Sequence, residues 1–234
     1  MNYAIIAAGE GSRLRNEGVA YPKPLVPLNG EPMIRRLIDI FVRCDAKTIS
    51  VIVNEQMTEV RSYLESIAKE LPVKLNLVVK TTPSSMHSFY EVSRAFDGER
   101  FILTTVDTIF REEDYRPYAE AFAKADGIDG MMAVTDYIDD EKPLYVGTDP
   151  DLRITGFYDS PFEGVKYISG GIYGLDGKAL EVLDKCISGG VSRMRNFQRA
   201  LVENDLDLKA YPLGKIIDVD HQEDIRKAEL FINE

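Results

Sequence analysis

Two cations, Arg13 and Lys23, closely follow a glycine-broken turn, Gly9-Glu10-Gly11-Ser12, and this combination suits the holding of a chain of phosphates. A glycine turn frees backbone N–H groups to converge on an anion, because glycine allows unusual dihedrals and close approach. A guanidinium grips phosphate with a two-pronged fork, and an ammonium acts as a movable point charge. Far downstream stand three acids, Asp107, Asp218 and Asp220. Magnesium takes hard oxygen ligands, typically one or two carboxylates with phosphate oxygens and water. Two aspartates from distant segments, converging beside the glycine turn, would supply that. Taken alone, G-x-G is equally a tight turn with solvated cations. Leu14 stands where a dinucleotide fingerprint requires glycine, and no glycine-lysine-Ser/Thr follows as in a Walker loop.

The elements that must position these groups are legible from periodicity. Tyr3–Ala7 reads as a buried parallel strand delivering the turn. The next two dozen residues are expected to form a long loop, with Tyr21 and Lys23 pushed towards extended geometry by the prolines that follow them. Asn29-Gly30 turns the chain, Pro32 suits a first helical residue, and Ile34, Leu37, Ile38 and Phe41 recur at helical spacing. Strands are expected at Thr48–Val53, Val73–Val79 and Phe101–Thr105, with helices marked by Met57 to Leu71 and by Ser84–Phe96. Asp107 thereby falls at the end of the fourth strand, where open α/β sheets bind ligands.

After a helix near Glu112–Ala125 the pattern changes to strands at Met131–Tyr137, Pro143–Gly147, Arg153–Tyr158 and Val165–Leu175. Helices at about Lys178–Cys186 and Arg193–Asn204, strands Asp207–Tyr211 and Lys215–Val219, and a helix from Asp220 complete the chain. The expected class is α/β, a three-layer α/β/α Rossmann-like mixed sheet, mostly parallel with an antiparallel extension. No repeat or linker divides residues 1–234, so a single domain is expected.

The formal charge of -11 argues against nucleic acid as a partner, and an anionic ligand must be drawn in by local cations against the overall field. Cys44 and Cys186 lie in no metal or C-x-x-C spacing, which suggests two buried thiols in a reduced, cytoplasmic setting. The apolar start is too short for a signal peptide, and no run approaches a membrane span. Oligomeric state is not legible.

Ala7-Ala8-Gly9-Glu10-Gly11-Ser12-Arg13, with Pro22-Lys23-Pro24-Leu25-Val26-Pro27 after a spacer, closely resembles the signature of sugar-phosphate nucleotidyltransferases, which make nucleotide sugars. The likeness continues at intervals over nearly the whole chain, as in short forms without a C-terminal β-helix. It implies the nucleotide-diphospho-sugar transferase fold and a magnesium-dependent reaction, NTP + sugar 1-phosphate → NDP-sugar + pyrophosphate, by in-line attack on the α-phosphorus. It implies that Ala7, Ala8, Gly9, Gly11 and Ser12 wrap the nucleoside triphosphate. Arg13 would hold the outer phosphates and Lys23 the reacting ones, as the catalytic pair. Mg2+ would sit on Asp107 and Asp220, the latter because Val219-Asp220-His221-Gln222-Glu223-Asp224-Ile225 resembles a D-T-P-E-D-L ending. Two departures stand out: a proline and a threonine usual between the cations are missing, and Val106 replaces a glycine before Asp107.

Thr81-Thr82-Pro83-Ser84-Ser85-Met86-His87-Ser88 resembles the serine-rich base loop of cytidylyltransferases that act on alcohol phosphates such as phosphocholine, and nominates Ser84 and Ser85 for the nucleotide. Val165–Tyr173 resembles the N-A-G-I-Y strand of the sugar pocket and nominates Gly171. The E-K-P motif before it appears as Asp159-Ser160-Pro161, without its lysine, and Lys166 is the candidate replacement. His87 and the Arg193–Arg195 pair read as surface, and Asp218 is a second choice for metal. Asp220 with Glu223 also makes a fair helix start, and Asp107 a turn cap. Alternatives are a cytidylyltransferase of an alcohol phosphate, a D-x-D glycosyltransferase using Asp218-Val219-Asp220, and a non-catalytic nucleotide-sugar-binding module. The glycosyltransferase reading leaves Arg13 and Lys23 unexplained.

Overall fold

In the computed structural model, which describes residues 1–96, 100–139 and 141–234, β1 (Asn2–Ala7) is buried at every position. A strand with no solvent face must be covered by helices on both sides, the condition of a central parallel strand. Tyr3, Ile5 and Ala7 accordingly pack into one core, and Ala4, Ile6 and Ala8 into the other.

After β1 come α1 (Ser12–Asn16), a 3-10 turn at Lys23–Leu25, and a hairpin of β2 (Pro27–Leu28) and β3 (Glu31–Pro32). Then follow α2 (Met33–Arg43), β4 (Thr48–Val53), α3 (Thr58–Ile67), β5 (Lys74–Val79), α4 (Ser85–Ser93), β6 (Phe101–Thr105) and the short β7 (Thr108–Ile109). The second half runs α5 (Glu112–Lys124), β8 (Gly130–Thr135), β9 (Tyr145–Thr148), β10 (Ile154–Tyr158), β11 (Tyr167–Leu175), α6 (Gly177–Ser188) and α7 (Met194–Glu203). It closes with β12 (Leu208–Pro212), β13 (Ile217–Asp218) and α8 (Gln222–Ile232).

The sheet is ordered β10-β9-β11-β6-β1-β4-β5, with β8 on β11 and β12 on β8. The block β6-β1-β4-β5 is parallel. β11 runs antiparallel to β6, β8 and β9, and so turns the fold into the expected antiparallel extension. Helices α2, α3, α5 and α8 supply the core on one face of the sheet, and α4, α6 and α7 on the other. No helix among the described residues is long and apolar enough to cross a membrane.

Several local expectations need correction. The loop after Gly9 is not featureless, because it contains α1 and the 3-10 turn. Lys23 opens that turn rather than lying extended; the Leu25 N–H donates to the Pro22 carbonyl at 2.8 Å, a bond that asks no N–H of Pro24. Pro32 is the residue before α2 rather than its first. The strand expected at Lys215–Val219 shrinks to β13, which leaves the main sheet and pairs antiparallel with β7. Cys186 is buried but Cys44 only partly so, and both thiols are free. The Asn29-Gly30 turn does form, with φ of 52° and 86°, the left-handed pair that a two-residue hairpin requires.

Two tyrosines of α5 offer a check on this packing. Tyr118 and Tyr115 are both fully buried; the Tyr118 hydroxyl donates to the Met131 carbonyl at 2.8 Å, whereas the Tyr115 hydroxyl has no partner among the described residues. Tyr118→Phe is expected to cost about 1 kcal/mol, and Tyr115→Phe to leave stability unchanged or raised, since it removes an unsatisfied polar group. Urea unfolding of the two variants side by side measures the difference.

Candidate active site

The glycine turn closes directly over Lys23. Gly11 takes φ +59°, and a Cβ added there would lie 2.8 Å from the Lys23 Cβ. Glycine is therefore required twice over, by conformation and by contact. Helix α1 starts at the next residue and carries Arg13, whose Nη1 lies 2.6 Å from Asp220 Oδ2. Beneath it the Lys23 side chain is only 9% exposed, with Nζ 2.5 Å from Asp107 Oδ2 and 2.7 Å from Asp220 Oδ1.

Backbone pairing brings these acids together. The Val106 N–H donates to the Ile6 carbonyl at 3.0 Å, extending the β6–β1 ladder to the turn that holds Asp107. Asp218 pairs with Thr108 in the β13–β7 ribbon, and the Val219 N–H donates to the Asp107 carbonyl at 3.1 Å. Asp220 is the next residue. It does not cap α8: the Asp224 carboxylate does so, accepting the N–H groups of Asp220 at 3.2 Å and His221 at 2.8 Å. The reading of Asp220 with Glu223 as a helix start thus gives way to Asp224, and Asp220 is left to face the cations. Glu17, at the end of α1, bonds the His221 ring at 2.6 Å and the Gln222 N–H at 2.7 Å, which fixes the glycine turn against the start of α8.

Burial works against the Lys23 ammonium, but the Asp107 and Asp220 carboxylates outweigh it and hold its pKa above the ordinary lysine value. Burial likewise opposes ionisation of Asp107; the Lys23 charge and bonds from Lys23 and Thr105 overcome it and hold the carboxyl below its usual range. Both groups are therefore charged at neutral pH.

These residues border a cleft of roughly 510 Å³. Its rim includes Ala8, Gly9, Gly11, Ser12 and Arg13 from the turn, Ser84 and Ser85 from the segment after β5, and Lys23, Asp107 and Asp220 below. Of the other nominated residues, Ala7 is buried under the turn, Lys166 is exposed just before β11, and Gly171 sits within β11 at φ +72°; none of these borders the cleft. Asp218 accepts a bond from the Thr108 hydroxyl at 3.3 Å and faces a separate small cavity with Tyr137 and Asp139. The His87 ring bonds Ser84 Oγ at 2.9 Å, and the same oxygen receives the Arg193 N–H at 3.3 Å. Arg195 pairs with Asp159 at 2.6 Å, which occupies the place of the missing E-K-P motif.

Because Asp107 and Asp220 meet the same Lys23 nitrogen, both carboxylates reach a single cation position. No third Asp, Glu, His or Cys joins them in a metal-holding group among the described residues. That donor set fits magnesium, which is commonly completed by substrate phosphates, better than it fits an all-protein calcium cage. Sequence reasoning missed two residues bordering the cleft, Thr105, which supports Asp107, and Asn54. The available signal for Asn54 was its position, a polar residue immediately after an apolar parallel strand.

The family model of the MobA-like NTP transferase domain matches residues 3–151. The mannose-1-phosphate guanyltransferase of Schizosaccharomyces pombe is 30% identical over 233 residues, covering 96% of this chain and 62% of that relative. The mannose-1-phosphate guanylyltransferase catalytic subunit beta of Dictyostelium discoideum is 28% identical over 180 residues, 74% of this chain and 49% of its own length. The chain thus spans about half to three-fifths of the length of these relatives. Among solved structures, a putative glucose-1-phosphate thymidylyltransferase from Bacillus anthracis superposes with a TM-score of 0.86 at 21% identity, covering 100% of this chain and 96% of that one. The inositol-1-phosphate CTP transferase from T. maritima does so with a TM-score of 0.82 at 17% identity and the same coverage. With the glycine turn, Lys23 and Asp107 all inside the matched segment, the chain belongs to the MobA-like NTP transferase domain family.

Proposed function

We propose that this protein is a cytoplasmic, magnesium-dependent sugar-phosphate nucleotidyltransferase, a single catalytic domain over residues 1–234. It would join a nucleoside triphosphate to a sugar 1-phosphate and release pyrophosphate. The observation that carries the reading is the shared contact of Lys23 with Asp107 and Asp220, beside Arg13 and under the glycine turn. The relatives' names make GTP and mannose 1-phosphate the first pair to test.

A phosphate oxygen of the acceptor forms the new bond to the α-phosphorus, and the bridging bond to pyrophosphate breaks in line with it. The attacking oxygen is already anionic, so no side chain need act as nucleophile or general base. Positioning and charge stabilisation supply most of the rate in such transfers. Asp107 and Asp220 would hold Mg2+, which when bound neutralises charge on the α-phosphate and the leaving group. Lys23 turns its Nζ from the carboxylates to the reacting phosphates, and Arg13 moves from Asp220 to the departing pyrophosphate. The glycine turn and Ser12 offer N–H donors to the same polyphosphate, with Ser84 and Ser85 on the opposite wall. Lys166 is proposed for the acceptor phosphate and Gly171 for the floor of its pocket.

A pyrophosphate-release screen tests the assignment, crossing ATP, GTP, CTP, UTP and dTTP with sugar 1-phosphates and alcohol phosphates in the presence of magnesium. Release with a sugar 1-phosphate is expected. Ser84, Ser85 and Ser88 on the cleft wall favour one second reading, with CTP and an alcohol phosphate, and release with phosphocholine alone selects it. Absence of pyrophosphate with every pair removes the enzyme assignment.

Three variants then probe the roles. Asp107→Ala should lower turnover about a hundredfold or more, the usual loss for a transition-state charge contact; near-normal turnover contradicts the metal role. Gly11→Ala should cost about 1–2 kcal/mol of stability in chemical unfolding, from its left-handed φ, and weaken nucleotide binding as Lys23 is displaced. Lys166→Ala should raise KM for the acceptor phosphate alone, and an unchanged value dismisses that residue.

A further inference from the structure

Asn54 is the first residue beyond β4, and it is only 6% exposed. Its Oδ1 accepts the Gln56 backbone N–H at 3.0 Å and the Thr81 hydroxyl at 3.1 Å. The Gln56 N–H can only donate, so the amide oxygen must face it and the Nδ2 group must face away. That Nδ2 group carries two donor hydrogens and finds no acceptor among the described residues. Asn54 borders both the cleft and a neighbouring cavity of roughly 420 Å³, which shares Glu10, Gly11 and Lys23 with it. A rigidly held amide is thus left with unused donors beside the glycine turn. The Nδ2 group is not sealed from solvent, so its donors are open to a ligand entering the cleft.

We propose that Asn54 is a nucleotide-binding residue, its Nδ2 donating to an acceptor oxygen of the bound nucleoside triphosphate. This rests on the nucleotidyltransferase reading and names a contact that reading does not contain. Sheet order decides which substrate is met. β4 lies on one side of β1, whereas β11, with Gly171 and the approach to Lys166, lies two places away on the other. Asn54 is therefore on the side of the glycine turn and of Thr81–Ser85, remote from the acceptor residues. The oxygen belongs either to the phosphate chain or to the base and sugar, and the probes below separate these.

The test compares Asn54→Asp with Asn54→Ala in the full chain. Aspartate keeps an oxygen for both Gln56 and Thr81, so the local turn survives, but it replaces the donor by a negative charge. Alanine removes the donor and the turn together, with no added charge. Expected for N54D are an unchanged melting temperature, a KM for the nucleoside triphosphate raised about tenfold or more, and an unchanged KM for the acceptor; N54A should lose less affinity despite lower stability. Binding of inorganic tripolyphosphate weakens in N54D if the oxygen is a phosphate's and holds if it is the base's or sugar's. N54D binding nucleotide as the active wild type does, with N54A merely destabilised, overturns the assignment and leaves Asn54 a turn residue. A wild-type protein that binds none of the five nucleoside triphosphates overturns this inference together with the reading beneath it.

Discussion

A single buried ammonium shared by two carboxylates is the constraint around which the site is built. Lys23 meets Asp107 and Asp220 together, and Arg13 adds a second cation to Asp220. Two positive and two negative charges make the cluster close to neutral, which lets a chain of charge -11 hold Lys23 at the bottom of the cleft with Arg13 at its rim. The outer pair is open to solvent, Arg13 at 50% and Asp220 at 42% exposure, whereas Lys23 is enclosed at 9%.

The arrangement depends on backbone pairing more than on the side chains themselves. The β7–β13 ribbon and the Val219 to Asp107 hydrogen bond place the C-terminal acid beside the β6 acid. The Glu17 contacts to His221 and Gln222 then fasten α1 to the start of α8. Gly11 completes the closure, because any side chain at that position collides with the Lys23 stem. The two departures from the family signature are absorbed in the same way. Val106 is 5% exposed, joins the apolar core and still borders the cleft, so valine serves as a packed floor where glycine is usual. The altered spacer between the cations folds as α1 and a 3-10 turn, which delivers Lys23 from below.

The sheet divides the labour between its halves. The parallel block β6-β1-β4-β5 presents its C-terminal ends to the glycine turn, Asn54 and Asp107, as open α/β sheets generally do. The antiparallel strands around β11 carry Gly171, and Arg195 and Arg199 both pair with Asp159. Where a lysine is usual before that strand this chain has Ser160, and the neighbouring Asp159 is held by the two arginines.

By itself the sequence determined what is local and periodic. The strands Thr48–Val53 and Phe101–Thr105 fall where alternation and burial put them, and the Asn29-Gly30 turn follows from two residues that tolerate positive φ. The glycine turn, both cations and both acids were singled out by their combination and by its resemblance to a family signature, since each taken alone has other uses. What only the tertiary structure decided is long-range: that Asp107 and Asp220 face one nitrogen, that Asp218 turns to another cavity, and that Asp224 rather than Asp220 supplies the capping carboxylate of α8. A residue type states which bonds a side chain can make. Which of them it does make depends on partners far away in the chain, and those are set by strand pairing and core packing that no local pattern encodes.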